Sequence, residues 1–263
     1  MKIAICLYGN VGVHGYASGR PAKNLHELVK ESSSAKKSIK PGYNGVKYIL
    51  DNYDADVFVH SWSHDKLNDI LDTYKPKLYE IVKQKEFDID PERYGIIGKD
   101  INKWKCSNVS KISYQMLISS KGLDRCLDWI NKATFRSKSR WWSNKRVIDL
   151  KQEYEAENNF KYDFVLINRF DNIFSKRFDF TNLDKNLFFA SQRTGREDIK
   201  YALYDYWFLC NSDDANIFGQ LYDNVYDYSV SAVFDPRQHI ESKIGKQKLS
   251  FLFKHDIDYR LLR

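Results

Sequence analysis

The chain has 263 residues, enough for one large α/β domain or two small ones with a substantial core, and its 12 Gly and 5 Pro are too few for collagen-like or extended disordered structure. Its 42 Lys and Arg outnumber 35 Asp and Glu to give a net charge of +7, which favours anionic partners without choosing among nucleotides, sugar phosphates, nucleic acid and acidic lipid. Cys6, Cys106, Cys126 and Cys210 lie far apart with no CxxC pair, which argues against a disulfide framework or zinc site and for a reducing cytosol.

Lys2 to Tyr8 reads as a short apolar first strand, and no later segment approaches the roughly 20 apolar residues that a membrane-crossing helix needs. A cytoplasmic protein, soluble or peripheral at a membrane, is expected. The next stretch, "GNVGVHGYASGR", holds Gly9, Gly12, Gly15 and Gly19, which permit tight turns and close backbone approach. It matches neither GxGxxG nor a P-loop. "NGVKYILDNY" has helical spacing, "ADVFVHSW" is a second strand closing on His60, Ser61 and Trp62, "DKLNDILDTY" is a helix and "KLYEIVK" a third strand. Residues 86–105 lack a period and read as loop.

From Ser110 to Ile130 the apolar positions suit a helix, or a helix pair broken near Gly122, and a polar basic segment then leads to the helical "RVIDLKQEYEAE". "YDFVLINRFDNIF", Tyr162 to Phe174, begins as a buried strand and ends in Asn168, Arg169, Asp171 and Asn172. Strands "NLFFAS" and "YWFLCN" follow, then a helix from Asp213 to about Tyr228. This alternation predicts an α/β fold: one domain over 1–263, a mostly parallel central sheet flanked by helices, and ligands beyond the carboxyl ends of the strands.

The polar end of the Tyr162–Phe174 segment has two readings. It is a solvated turn, which Asn and Asp favour for local reasons, or a rigid support for Asp171 and Arg169. There a carboxylate can hold a divalent ion or ribose hydroxyl, and a guanidinium can offset phosphate charge.

"YDFVLINRFD" resembles the central strand of GT-A glycosyltransferases, especially bacterial and viral surface-polysaccharide enzymes in which a "YDFVIRxRxD" type strand replaces the DxD motif. "KIAICLYG" with its loop to Arg20, "ADVFVHSW", and "SKISYQMLISSKGLDRCLDW" are similar to the same group in order and separation, so the likeness spans much of residues 1–210. It implies a Rossmann-like GT-A domain that transfers a sugar from a nucleotide-sugar donor to a hydroxyl of a glycan or lipid-linked glycan. Residues 1–130 would be mainly the nucleotide-binding half, and 160–263 the donor-phosphate and acceptor half.

By the same resemblance the first loop, with Gly9 and Arg20, lies beside the nucleotide, and Asp171 lies near the diphosphate and any manganese or magnesium. Arg169 stands where the motif would have a second carboxylate, so one metal ligand is missing, and a basic side chain there partly takes over the cation's charge. His60 and Trp62 either meet the base ring or pack in the core. Asp205 resembles the acceptor-side acid that deprotonates a hydroxyl, unless it merely caps a turn. Glu241, on a predicted helix with His239, is the second candidate base.

Arg193 and Arg196 are candidate phosphate contacts, and His239 and His255 are weaker candidate metal ligands. "FRSKSRWWSNKR" either touches acidic lipid as a peripheral anchor or packs its tryptophans on the domain. The rival class is a non-catalytic nucleic-acid or anionic-surface binding protein. No RNP, helix-turn-helix or zinc-finger pattern accompanies the charge, so nucleic acid is not an expected partner.

Overall fold

The structure is a computed structural model that describes residues 1–11, 39–88, 100–104, 108–192, 203–225, 236–255 and 257–261. Arg20, Lys23, Cys106, Arg193 and Arg196 lie outside the described residues, as does much of the loop expected at 86–105.

A seven-stranded sheet organises the chain. Its strands are β1 (Lys2–Gly9), β2 (Asp54–Ser61), β3 (Leu78–Ile81), β4 (Phe164–Arg169), β6 (Phe188–Gln192), β7 (Leu203–Cys210) and β8 (Leu249–Lys254), in the order β3-β2-β1-β4-β7-β6-β8. β1 pairs in parallel with both β2 and β4, and β2 with β3, while β7 runs antiparallel to β4 and β6. β6 and β8 are again parallel, so β7 alone is reversed. β5 (Asn172–Phe174) and β9 (Tyr259–Leu261) form a separate antiparallel pair. The expected α/β fold with a mostly parallel sheet flanked by helices is the observed one.

The central strands are buried on both faces, as parallel strands under helices must be. Side chains alternate across each strand, and two cores result. On one face Ile3, Ile5 and Leu7 of β1 and Phe164 and Leu166 of β4 pack with Val46, Ile49, Ile70 and Tyr74, which come from α1 (Lys40–Asn52) and α2 (Leu67–Tyr74). On the other, Ala4, Cys6 and Tyr8 of β1 and Val165 and Ile167 of β4 meet Trp141, Val147, Ile148 and Phe218. Those come from α4 (Leu123–Asn158) and α5 (Ser212–Gly219).

α3 (Asn108–Lys121) and α4 are the expected broken pair, separated at Gly122, whose φ of 85° favours glycine. The basic segment is no connector: residues 135–146 lie inside the 36-residue α4. Trp141 is buried against Phe218 and Trp142 sits against Tyr222, so these tryptophans pack on the domain. The helix expected from Asp213 to Tyr228 ends at Gly219. Leu221 and Val225 continue into the same core from irregular turns, which is why apolar spacing overstates the helix. A short helix, α6 (Arg237–His239), continues as a π-helical turn over Ile240–Gly245. Among the described residues no helix is long and apolar enough to cross a membrane.

Candidate active site

Strand order reverses between β1 and β4: β2 and β3 lie on one side of β1, and β4, β7, β6 and β8 on the other. Loops leaving the carboxyl ends of two such strands diverge to opposite sides and leave a crevice, the usual ligand position in open α/β sheets. β1 ends there in Gly9 and β4 in Arg169. Because β7 is reversed, its beginning comes to the same edge, and that beginning carries Asp205.

Parity fixes which face the side chains reach. Tyr8 follows Ala4 and Cys6 toward α4, Arg169 follows Val165 and Ile167, and Tyr8 and Arg169 are register partners. α4 meets them with Arg140. Arg169 donates from Nε to Asp171 Oδ1 at 2.8 Å and from Nη2 to Asp171 Oδ2, a two-pronged contact on a carboxylate whose side chain is only 5% exposed. Arg140 Nη1 makes an ion pair with Asp205 Oδ2. The Tyr8 hydroxyl donates to the Asp205 carbonyl at 3.1 Å, and the Tyr206 ring lies 5.6 Å beneath the Arg169 guanidinium.

Two cations and two carboxylates thus share one partly buried edge. Burial lowers the Arg140 guanidinium, and the neighbouring positive charge of Arg169 lowers it further, to about 10. Arg169 is also pushed down by burial, but the charge and hydrogen bonds of Asp171 outweigh this and its net shift is upward. The Tyr8 phenol rises, chiefly through burial, and the two arginines oppose that rise.

The turn that presents Asp171 is clamped from three sides. Asn172 Nδ2 donates to Asn168 Oδ1 at 3.0 Å across it, and Asn172 begins the strand paired with β9. α1 presses on it through Gly42 and Gly45. A Cβ at Gly42 would overlap the Phe170 carbonyl oxygen, and one at Gly45 would stand 3.0 Å from the Asn172 carbonyl oxygen. The loop after β1 is held too. Gly9 adopts φ 92°, its carbonyl accepts from Ser61 Oγ at 2.8 Å, and Val11 N donates to Ser63 Oγ at 3.0 Å.

The other sequence candidates fall elsewhere. His60 and Trp62 stand at the end of β2 but turn into the interior: His60 is fully buried and Trp62 packs with Phe87 and Phe135. Their rings meet at 4.7 Å, and both His60 ring nitrogens and Trp62 Nε1 lack hydrogen-bond partners among the described residues. Burial holds His60 down to about 3, aided by the positive charges of Arg146 and Lys85. Core packing is therefore their role here. Glu241 sits on the π-helical turn and accepts from Arg237 Nε at 2.6 Å; no contact among the described residues joins it to Asp171 or Asp205. His239 is buried against Phe218 with Nε2 2.9 Å from the Ile217 carbonyl. His255 lies among Tyr204, Tyr206 and Tyr259 at the same sheet edge as Asp205.

Among the described residues no three His, Cys, Asp or Glu gather as a metal site, and both Asp171 oxygens are taken by Arg169. A groove of about 560 Å³ near the opposite, amino-terminal edge of β4 is lined by Gln152, Glu155, Asn159, Phe160, Lys161 and Asn216. Its Glu155 is spent on structure: it receives Lys151 Nζ at 2.9 Å, Ser212 Oγ at 2.6 Å and the Tyr162 amide at 2.9 Å.

Arg140 and Tyr8 are the site residues that the sequence reading missed. Arg140 lay in view within the basic segment, but a helix through that segment was needed to aim it at Asp205. No protein-family model matches the sequence, and a search of curated proteins finds no match either.

Proposed function

We propose that the protein is a glycosyltransferase that moves a sugar from a nucleotide-sugar donor to a hydroxyl of a glycan acceptor. The observation that carries this reading is the cluster of Arg140, Arg169, Asp171 and Asp205 at the β1/β4 switch point, on the edge where an open α/β sheet receives ligands. The resemblance of the Tyr162–Phe174 segment to GT-A enzymes supports it, and so does the reversed β7 that carries an acid to the same edge.

In this reading the two guanidinium groups face the donor diphosphate and stabilise the charge that grows on it as the glycosidic bond breaks. Arg169 needs no reorganisation, because Asp171 and the clamped turn already hold it. Asp171 fixes Arg169 in place. Asp205 accepts the proton of the acceptor hydroxyl as that oxygen attacks the anomeric carbon, a role that belongs to an inverting reaction. Arginine supplies positive charge that a divalent ion would otherwise bring.

The test is a thermal-stabilisation screen of the full chain with UDP, GDP, CMP and dTDP, each with manganese and with EDTA. Stabilisation by one nucleotide that persists in EDTA is the expected result. No response to any nucleotide, with salt-sensitive binding to nucleic acid or acidic vesicles instead, would replace this reading with an anionic-surface binder.

A further inference from the structure

We infer that Arg140 is a latch on Asp205: it holds the carboxylate while the phosphate site is empty and exchanges it for a diphosphate oxygen when donor binds, so that Asp205 becomes available only in the donor complex. This rests on the glycosyltransferase reading for its role in catalysis, but the exchange itself is a property of the four side chains.

The two ion pairs at this edge are not equivalent. Arg169 and Asp171 are two residues apart on one clamped turn, and both carboxylate oxygens are engaged by two guanidinium nitrogens. Arg140 comes from α4 and Asp205 from β7, and they meet as an ion pair between separate elements, with side chains 24% and 15% exposed. A two-pronged pair within one clamped turn resists separation, whereas an ion pair between partly exposed side chains of different elements yields first.

Charge supplies the drive. The cluster is balanced with two cations and two carboxylates, and an arriving diphosphate adds at least two negative charges beside them. One carboxylate must then give up its guanidinium, because two anions competing for one cation in a partly desolvated edge repel. The backbone permits the exchange without moving: the Tyr8 hydroxyl pins the Asp205 carbonyl, so only the carboxylate has to turn.

Catalytically, a base held by Arg140 cannot accept a proton efficiently from water or acceptor until donor is seated. The donor therefore binds first, and the free enzyme is kept from unproductive proton transfer.

Inorganic pyrophosphate, in EDTA, tests the exchange without any nucleobase or sugar. Isothermal titration of four proteins is needed: wild type, Asp205→Asn, Arg140→Gln and the double variant. If Arg140 must leave Asp205 to take phosphate, Asp205→Asn removes the competitor and tightens pyrophosphate binding about five- to tenfold, while Arg140→Gln weakens it by about tenfold. In the Arg140→Gln background the Asp205→Asn gain should vanish. An equal gain in both backgrounds would mean that Asp205 acts only as a nearby negative charge, and would overturn the latch. So would no gain at all, or a wild type that does not bind pyrophosphate. Arg140→Met, which keeps the stem beside Trp141, provides the same cycle if the Gln variant does not fold. Pyrophosphate binding with the expected cycle but no nucleotide response would leave the latch standing and sink the glycosyltransferase reading instead.

Discussion

His60 offers a test of how the end of β2 is built, and it discriminates between a ligand-facing ring and a core ring. The side chain is fully buried beside Trp62, with its neutral form favoured by burial and by the positive charges of Arg146 and Lys85, so its pKa falls from 6.5 to about 3. A depressed folded-state pKa on a base means that the unfolded chain binds the proton first. The stability that neutral His60 contributes is thus complete above pH 6.5 and is lost progressively as pH falls toward 3. At about 1.36 kcal/mol per pH unit, lowering pH from 7.5 to 5.0 should cost about 2 kcal/mol from this group. The assay is urea unfolding at both pH values for wild type and for His60→Phe, which keeps a ring in the space beside Trp62 and cannot titrate. His239, also lowered by burial, is present in both proteins and cancels in the comparison. Wild type should lose about 2 kcal/mol more than the variant between the two pH values. Parallel losses would show that His60 titrates normally, as a solvent- or ligand-facing imidazole would, and would refute its placement in the core.

Asp171→Asn should lower turnover by about 100-fold or more while circular dichroism stays native, since Arg169 loses the charge that fixes it; near-normal kcat would remove Asp171 from the site. Gly42→Ala should destabilise the fold by about 1–3 kcal/mol in chemical denaturation and weaken pyrophosphate binding, because the new Cβ collides with the turn before Asp171. Unchanged stability would show that α1 does not brace that turn. Lys151→Met should cost about 3–5 kcal/mol, since it strands Glu155 in the interior beside Ser212, and adding Glu155→Gln should recover part of the loss. Recovery by the second change is the measurement that separates a stranded charge from lost packing.

Much of the fold was legible because its signals are local. β1 and β4 are apolar runs that only a sheet covered on both faces would use, and Gly122 marked the break between two helices. β8 and β9 escaped the reading because their exposure is mixed. Ser250 and Phe251 in β8 face outward or partly so, and β9 is three residues long. Neither carries a clean alternation, and both depend on distant partners, β8 on β6 and β9 on β5.

The candidate site was half legible, for a related reason. Asp171 and Arg169 sit two residues apart at the end of an apolar strand, so one short segment announces them. Arg140 sits on a helix whose sheet-facing stripe breaks the usual apolar pattern. Asn144, Lys151 and Glu155 are buried on α4 beside Val147 and Ile148, and Ser143 is buried as well. Periodicity finds helices by their apolar face, and a helix that buries polar side chains shows a weak one. Two of those buried groups are bound to other elements: Lys151 Nζ to Ser212 and Asn216 of α5, and Glu155 to Ser212 and to the Tyr162 amide before β4. Polar burial that hides the helix from a sequence reading therefore also sets its depth and rotation against the sheet. Given that rotation, Arg140 reaches the edge where β1, β4 and the reversed β7 converge. A substitution that made this stripe apolar would strengthen the helical signal and loosen one of the constraints that aim Arg140 at Asp205.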